Sequence, residues 1–170
     1  MPGAAEVAER AGVSERTVFR HFADLDSLFL AAAARQRPAH DAYLRPRPDA
    51  PDVATRIASL VRLRSKLYEE IAPVRRAAIH LSRTRPIVLQ QLEQAHAAAR
   101  AQVGDVFAPE LSRLDVKRRT LMLDALDLAT SWTCWDTLRA GQGCSVDRTR
   151  KVITETVTAL LATVPKAKRR

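Results

Sequence analysis

The chain has 170 residues, 46% of them hydrophobic and 28% charged, which suits one globular domain with a core or a small domain joined to a larger one and excludes a disordered tail. Twenty-eight Lys and Arg against nineteen Asp and Glu give a formal charge of +9, so an anionic partner such as nucleic acid has to be considered. Five Gly, and four of the nine Pro crowded between positions 38 and 51, set in a background of Ala, Leu and Arg, favour helices and argue against an all-β fold.

In chain order, the apolar spacing predicts three short helices over 4–11, 15–22 and 26–37, then a Pro-rich connection over 38–51. Beyond it Val53, Ile57, Leu60, Val61, Leu67, Tyr68 and Ile71 mark one face of a helix expected to end or kink near Pro73. A helix over 74–83 follows, and then one that Pro86 opens and Pro109 closes. Asp115 is placed to cap a helix running to Arg139, which Gly141 and Gly143 terminate. Ser145 caps the last helix, whose stripe of Val146, Ile153, Val157, Leu160 and Val164 stops at Pro165. The expected organisation is therefore 1–37, a helix-turn-helix remnant; 38–51, a connection; 52–165, a helical bundle; and 166–170, a basic tail.

Charge is unevenly spread. Residues 1–37 hold five Arg and five acids and are neutral, whereas 45–86 hold ten basic residues against four acids, and the tail adds four more. Cys134 and Cys144 read as ordinary thiols in a chain that needs no crosslink. No apolar stretch has the length of a membrane span or the form of a signal peptide, so the expectation is a soluble cytoplasmic protein with no membrane partner. There is no HExxH pair, glycine-rich phosphate loop or GxSxG elbow, and no catalytic site, metal site or cofactor is expected.

The most specific feature is EVAERAGVSERTVFRHF, residues 6–22. Ala8 is small where a second helix must approach the first, Gly12 can take positive φ, Val13 is an apolar residue suited to plug the corner, and Ser14 can cap the incoming helix. Val7 and Val18 lie where apolar groups are needed between the helices, and Phe22 closes the far end. An αα-hairpin packed in a core is the plainer alternative, but it does not require this combination.

Through AERAGVSERTVFRHFADLDSLF, residues 8–29, the chain resembles the TetR (tetracycline-repressor-like) family of transcriptional regulators. The resemblance implies that Ser14 and the helix after it form the recognition helix and its cap, with Glu15, Arg16, Thr17 and Arg20 reaching bases or phosphates. Phe19 stands where the family often has Tyr, which removes one phosphate-directed hydroxyl, and His21 stands where a residue facing the DNA backbone is common. Leu25 replaces a frequent Lys between Asp24 and Asp26, whose carboxylates have a sufficient role as caps. The family's usual first helix has no counterpart ahead of Ala4, and the expectation is that the native start lies upstream of Met1.

The resemblance further implies a C-terminal domain that binds a small-molecule effector and forms a homodimer, so that two recognition helices about 34–36 Å apart read a near-palindromic double-stranded operator. Leu121, Leu128, Trp132, Trp135, Ile153, Val157, Leu160 and Leu161 are the candidates for that interface, although each also suits its own subunit's core. Tyr68, His80, His96, Met122 and Trp132 are the candidate ligand residues, with core packing the alternative for the aromatic ones. The resulting expectation is a ligand-responsive repressor; a helical ligand-binding or dimerisation module that no longer binds operator is the second reading.

Overall fold

In a computed structural model the described residues are 4–24, 27–28, 30–31, 43, 50 and 52–165. They form an all-α structure, a helix-turn-helix followed by a helical bundle, with no strand among them. Helices α1 (Ala4–Ala11) and α2 (Glu15–His21) pair at the N-terminus. Of the third expected helix, Ser27, Leu28, Leu30 and Ala31 are helical and the rest lies outside the described residues. So do the tail and the Pro-rich connection, apart from Tyr43 and Ala50.

The bundle begins with α3 (Val53–Ser82), which Asp52 caps by accepting from the Thr55 amide at 2.8 Å. It continues through Pro73, so the expected end there and the separate helix over 74–83 are not found. Proline removes one backbone donor, but Glu69 before it and Arg76 after it are both tied to the same neighbouring stretch, by bonds to Arg139 and Asp136. Those contacts anchor the helix on both sides of Pro73, which is itself exposed to solvent.

Helix α4 (Pro86–Val106) starts on Pro86 as expected, and Phe107, wholly buried, leads into the single turn α5 (Ala108–Leu111). Asp115 caps α6 (Val116–Thr130). The expected continuous helix to Arg139 is interrupted at Ser131, whose backbone is extended at φ −72° and ψ 162°. The Ser131 hydroxyl donates back to the Leu128 carbonyl at 2.8 Å and accepts from the Cys134 amide at 3.1 Å, closing one helix and opening α7 (Trp132–Asp136). A π-helical turn (Thr137–Gly141) follows, marked by the Gln142 amide donating to the Thr137 carbonyl at 2.9 Å. Gly143 then takes φ +65°, and Ser145 caps α8 (Val146–Ala162).

The core is shared by α3, α4, α6, α7 and α8 and includes Leu60, Val103, Leu126, Trp135 and Val157, each no more than 2% exposed. Arg56 on α3 reaches Glu110 on α5 at 2.6 Å, both nearly buried, and so fixes the short helix against the start of the long one.

Candidate nucleic-acid interface and bundle cavity

The N-terminal corner is built by its small residues. Gly12 sits at φ +66°, its amide donating to the Glu9 carbonyl, and Ser14 accepts from the Thr17 amide at 3.1 Å, which starts α2. Ala8 and Val18, at 3% and 7% exposure, are the close-packed pair between the helices, and Phe22 is half-buried at the far end. Val13 does not plug the corner: it is 42% exposed, because the turn carries its side chain away from the contact between α1 and α2.

The outer face of α2 presents Glu15, Arg16, Phe19, Arg20 and His21 to solvent, with Phe19 48% exposed. Thr17 is half-buried and its hydroxyl lies 2.9 Å from that of Ser14, so these two organise the cap as well as the exposed edge. The Arg20 guanidinium lies 3.5 Å from the His21 ring, a loose contact that leaves both free to turn outward. Just beyond, the Asp24 carboxylate accepts from the Ser27 amide at 2.7 Å while the Asp24 amide donates to the Ser27 hydroxyl. This reciprocal pair places negative charge at the start of the next helical stretch.

In the bundle, three of the five candidate ligand residues come together. Tyr68 on α3 and Trp132 on α7 meet edge to face with ring centroids 5.6 Å apart, and His96 on α4 completes the lining of a cavity of about 130 Å³. The wall also includes Arg64, Leu67, Ile71 and Arg75 from α3, Ala99 from α4 and Asp127 from α6. His80 is exposed and Met122 packs on the core, and neither lines the cavity. Spacing along single helices could not reveal the two arginines, because only the packing of α3 against α4 and α7 turns them inward.

Each charge at this cavity has its own setting. Arg64, 3% exposed, donates to the Gln102 side chain at 3.0 Å, the Tyr68 hydroxyl at 2.9 Å and the carbonyls of Ala99 and Thr130 at 2.7 and 3.3 Å. All four acceptors are neutral. Asp127 is buried and lies 3.0 Å from His96 Nε2 and 3.5 Å from Arg100 Nη1. Arg75 is half-buried, its Nε has no hydrogen-bond partner among the described residues, and burial pulls its pKa below the usual arginine value. Burial likewise pushes the Cys134 thiol up, which disfavours the thiolate.

The expected interface residues divide by exposure. Trp132, Trp135, Ile153, Val157 and Leu161 are buried in their own subunit's core, packed against α3, and so are withdrawn from any surface. Leu160 is half-buried. Leu121 and Leu128, at 61% and 65% exposure, lie seven residues apart on the outer face of α6, and Val152 on the adjoining α8 is 39% exposed. Val152 was not among the candidates; its place on the side of α8 opposite Ile153 and Val157 is the signal that could have found it.

Among the described residues no helix is long and apolar enough to cross a membrane, and no group of three or more His, Cys, Asp or Glu side chains is arranged to hold a metal ion. No curated protein and no solved structure matches the chain. Residues 3–32, less than a fifth of the chain, match the model of the bacterial regulatory proteins of the tetR family. That stretch contains the whole corner of α1, Gly12, Ser14 and α2, so over this segment the chain is similar to the bacterial regulatory proteins of the tetR family.

Proposed function

We propose that the protein is a ligand-responsive transcriptional repressor that binds a near-palindromic operator as a homodimer. The observation that carries this reading is the Gly12 and Ser14 corner, which holds α2 with Glu15, Arg16, Phe19, Arg20 and His21 directed to solvent in a segment of the tetR type. In the groove Arg16 and Arg20 would donate to guanine or to phosphates, Thr17 would meet a thymine methyl or a phosphate oxygen, and Ser14 would cap. Leu121, Leu128 and Val152 form the apolar surface on which two copies would join, and the cavity beside Tyr68, His96 and Trp132 would take the effector. An effector acts by binding one spacing of the two recognition helices better than another. Cytoplasmic location follows from that role.

The test is a fluorescence-anisotropy titration on the DNA upstream of the protein's own gene, over a salt series and with competitor DNA. Specific binding that survives competitor, and weakens when Arg16 or Thr17 is replaced by Ala, supports the proposal. Binding that ignores sequence, disappears steeply with salt and is indifferent to both substitutions would instead support a helical ligand-binding or dimerisation module without operator recognition.

A further inference from the structure

The bundle cavity has an unusual charge balance. Its described ionisable lining comprises Arg64, Arg75, His96 and Asp127, and the one carboxylate is already contacted by His96 and by Arg100 from outside the cavity. Arg64 is already engaged by neutral acceptors, among them the carbonyl at the C-terminus of α6, and so is not the group in want of a partner. Arg75 lines the cavity with a buried Nε that has no partner, and no hydrogen bond or ion pair is found for its guanidinium among the described residues. A desolvated cation is costly to leave without an anion. The rest of the lining includes aromatic and aliphatic side chains, Tyr68, Trp132, Leu67 and Ile71.

From this we infer that the cavity binds a small monocarboxylate with a flat apolar body, the carboxylate paired to Arg75 and the body against Tyr68 and Trp132. The inference rests on the effector role proposed for the cavity and adds the chemical class. Size sets the upper bound: an apolar cavity of about 150 Å³ accommodates benzene, whereas drug-sized ligands occupy sites of roughly 300–1,000 Å³. A space of about 130 Å³ that is partly open therefore suits a single ring carrying one carboxylate. A planar guanidinium offers the carboxylate a bidentate partner that an ammonium does not.

The experiment titrates the intact chain with benzoate, benzyl alcohol and inorganic phosphate, following the fluorescence of its two tryptophans, of which Trp132 lines the cavity and Trp135 lies behind Tyr68. Saturable quenching by benzoate is expected, with benzyl alcohol roughly tenfold to a hundredfold weaker, as loss of a charge-assisted bond implies. Arg75→Gln should bring benzoate down to the level of benzyl alcohol and leave benzyl alcohol unchanged, while Arg75→Lys should keep part of the preference. A far-ultraviolet spectrum and thermal melt matching the parent establish that the variants are folded. If both ring compounds bind equally, or Arg75→Gln leaves their ratio unchanged, the carboxylate assignment is overturned and the effector cavity stands. Phosphate competing as well as benzoate overturns the apolar body. If neither ring compound quenches the tryptophans or shifts the melt at millimolar concentration, the effector reading falls together with the inference.

Discussion

Replacing Arg64 should rank substitutions against chemical intuition, with lysine worse than methionine. The guanidinium is 3% exposed and spreads four hydrogen bonds over Gln102 and Ala99 on α4, Tyr68 on its own helix and the carbonyl of Thr130, the last residue of α6. No carboxylate is among these partners; what offsets its charge is a helix C-terminus, where unbonded carbonyls favour a cation. In Arg64→Met the apolar stem is kept and the buried charge is gone. Thr130 keeps the Tyr68 hydroxyl at 3.0 Å, the Ala99 carbonyl keeps its place in the helical ladder, and the Gln102 oxygen loses its Arg64 donor. One weakened buried acceptor costs about 1–3 kcal/mol. Arg64→Lys keeps the charge, but an ammonium on one stem cannot reach acceptors on both sides of the fork, and a buried cation short of partners costs about 3–5 kcal/mol. Urea unfolding followed by circular dichroism should therefore place Met above Lys, with midpoints separated by roughly 1 M for a typical m-value. A lysine variant as stable as the methionine variant would refute the reasoning, since it would mean that charge rather than bond geometry holds this site together.

Three further outcomes follow from named contacts. The Glu69 carboxylate accepts from Arg139 at 2.9 and 3.0 Å and from the Trp135 indole at 3.1 Å, and the Arg139 bonds above all hold its pKa below the usual carboxylate range. Its contribution is whole above pH ~4.3 and is lost as pH falls through the lowered folded value, so the stability gap between the parent and Glu69→Gln should be constant from pH 7 to 5 and close below pH ~4. Because Glu69 is 39% exposed, that gap should stay under about 1 kcal/mol at physiological salt, measured by denaturant titration at each pH. At Gly12 an added Cβ meets no atom within 4 Å, so Gly12→Ala costs only the left-handed backbone, about 1–2 kcal/mol less a gain of about 0.4–1 from the stiffer unfolded chain. Specific DNA affinity should fall about two- to tenfold in anisotropy titrations, and unchanged affinity would mean that the turn is not needed in this form. Leu121→Asp with Leu128→Asp should give a monomer by sedimentation with a melt close to the parent's, because both side chains are already exposed; a dimer that persists would move the interface elsewhere.

How much of this was legible in the sequence depended on the range of the contacts concerned. The caps Ser14, Asp52, Asp115 and Ser145 act over three residues, and all four hold their helix starts by side-chain bonds, three of them at positions read directly from the sequence. Ser131 is the same signal. It was hidden because the apolar spacing of Leu126, Ala129, Trp132 and Trp135 continues without a change of phase across the break, so periodicity alone returned one long helix. Pro73 failed in the opposite sense: its local chemistry announces a break, and only the ties of Glu69 and Arg76 to residues sixty and more positions away keep the helix whole.

The same limit governs the site. Leu121, Leu128, Ile153 and Val157 are all apolar residues at helical spacings, yet the first two face solvent and the last two are buried, because α8 packs its Ile153 and Val157 face on α3 while α6 turns Leu126, and not Leu121 or Leu128, to the core. A period states that a face exists and not which neighbour covers it. For Arg64 and Arg75 even the prior points the wrong way, since a guanidinium in a basic segment is ordinarily a solvated face. What turns them inward is the aromatic contact of Tyr68 with Trp132 and the free carbonyl at Thr130, features that arise only once four helices are assembled. The helix-turn-helix corner was legible because its chemistry is local, whereas the cavity depends on elements distant in sequence and its charge balance is a property of the packed bundle alone.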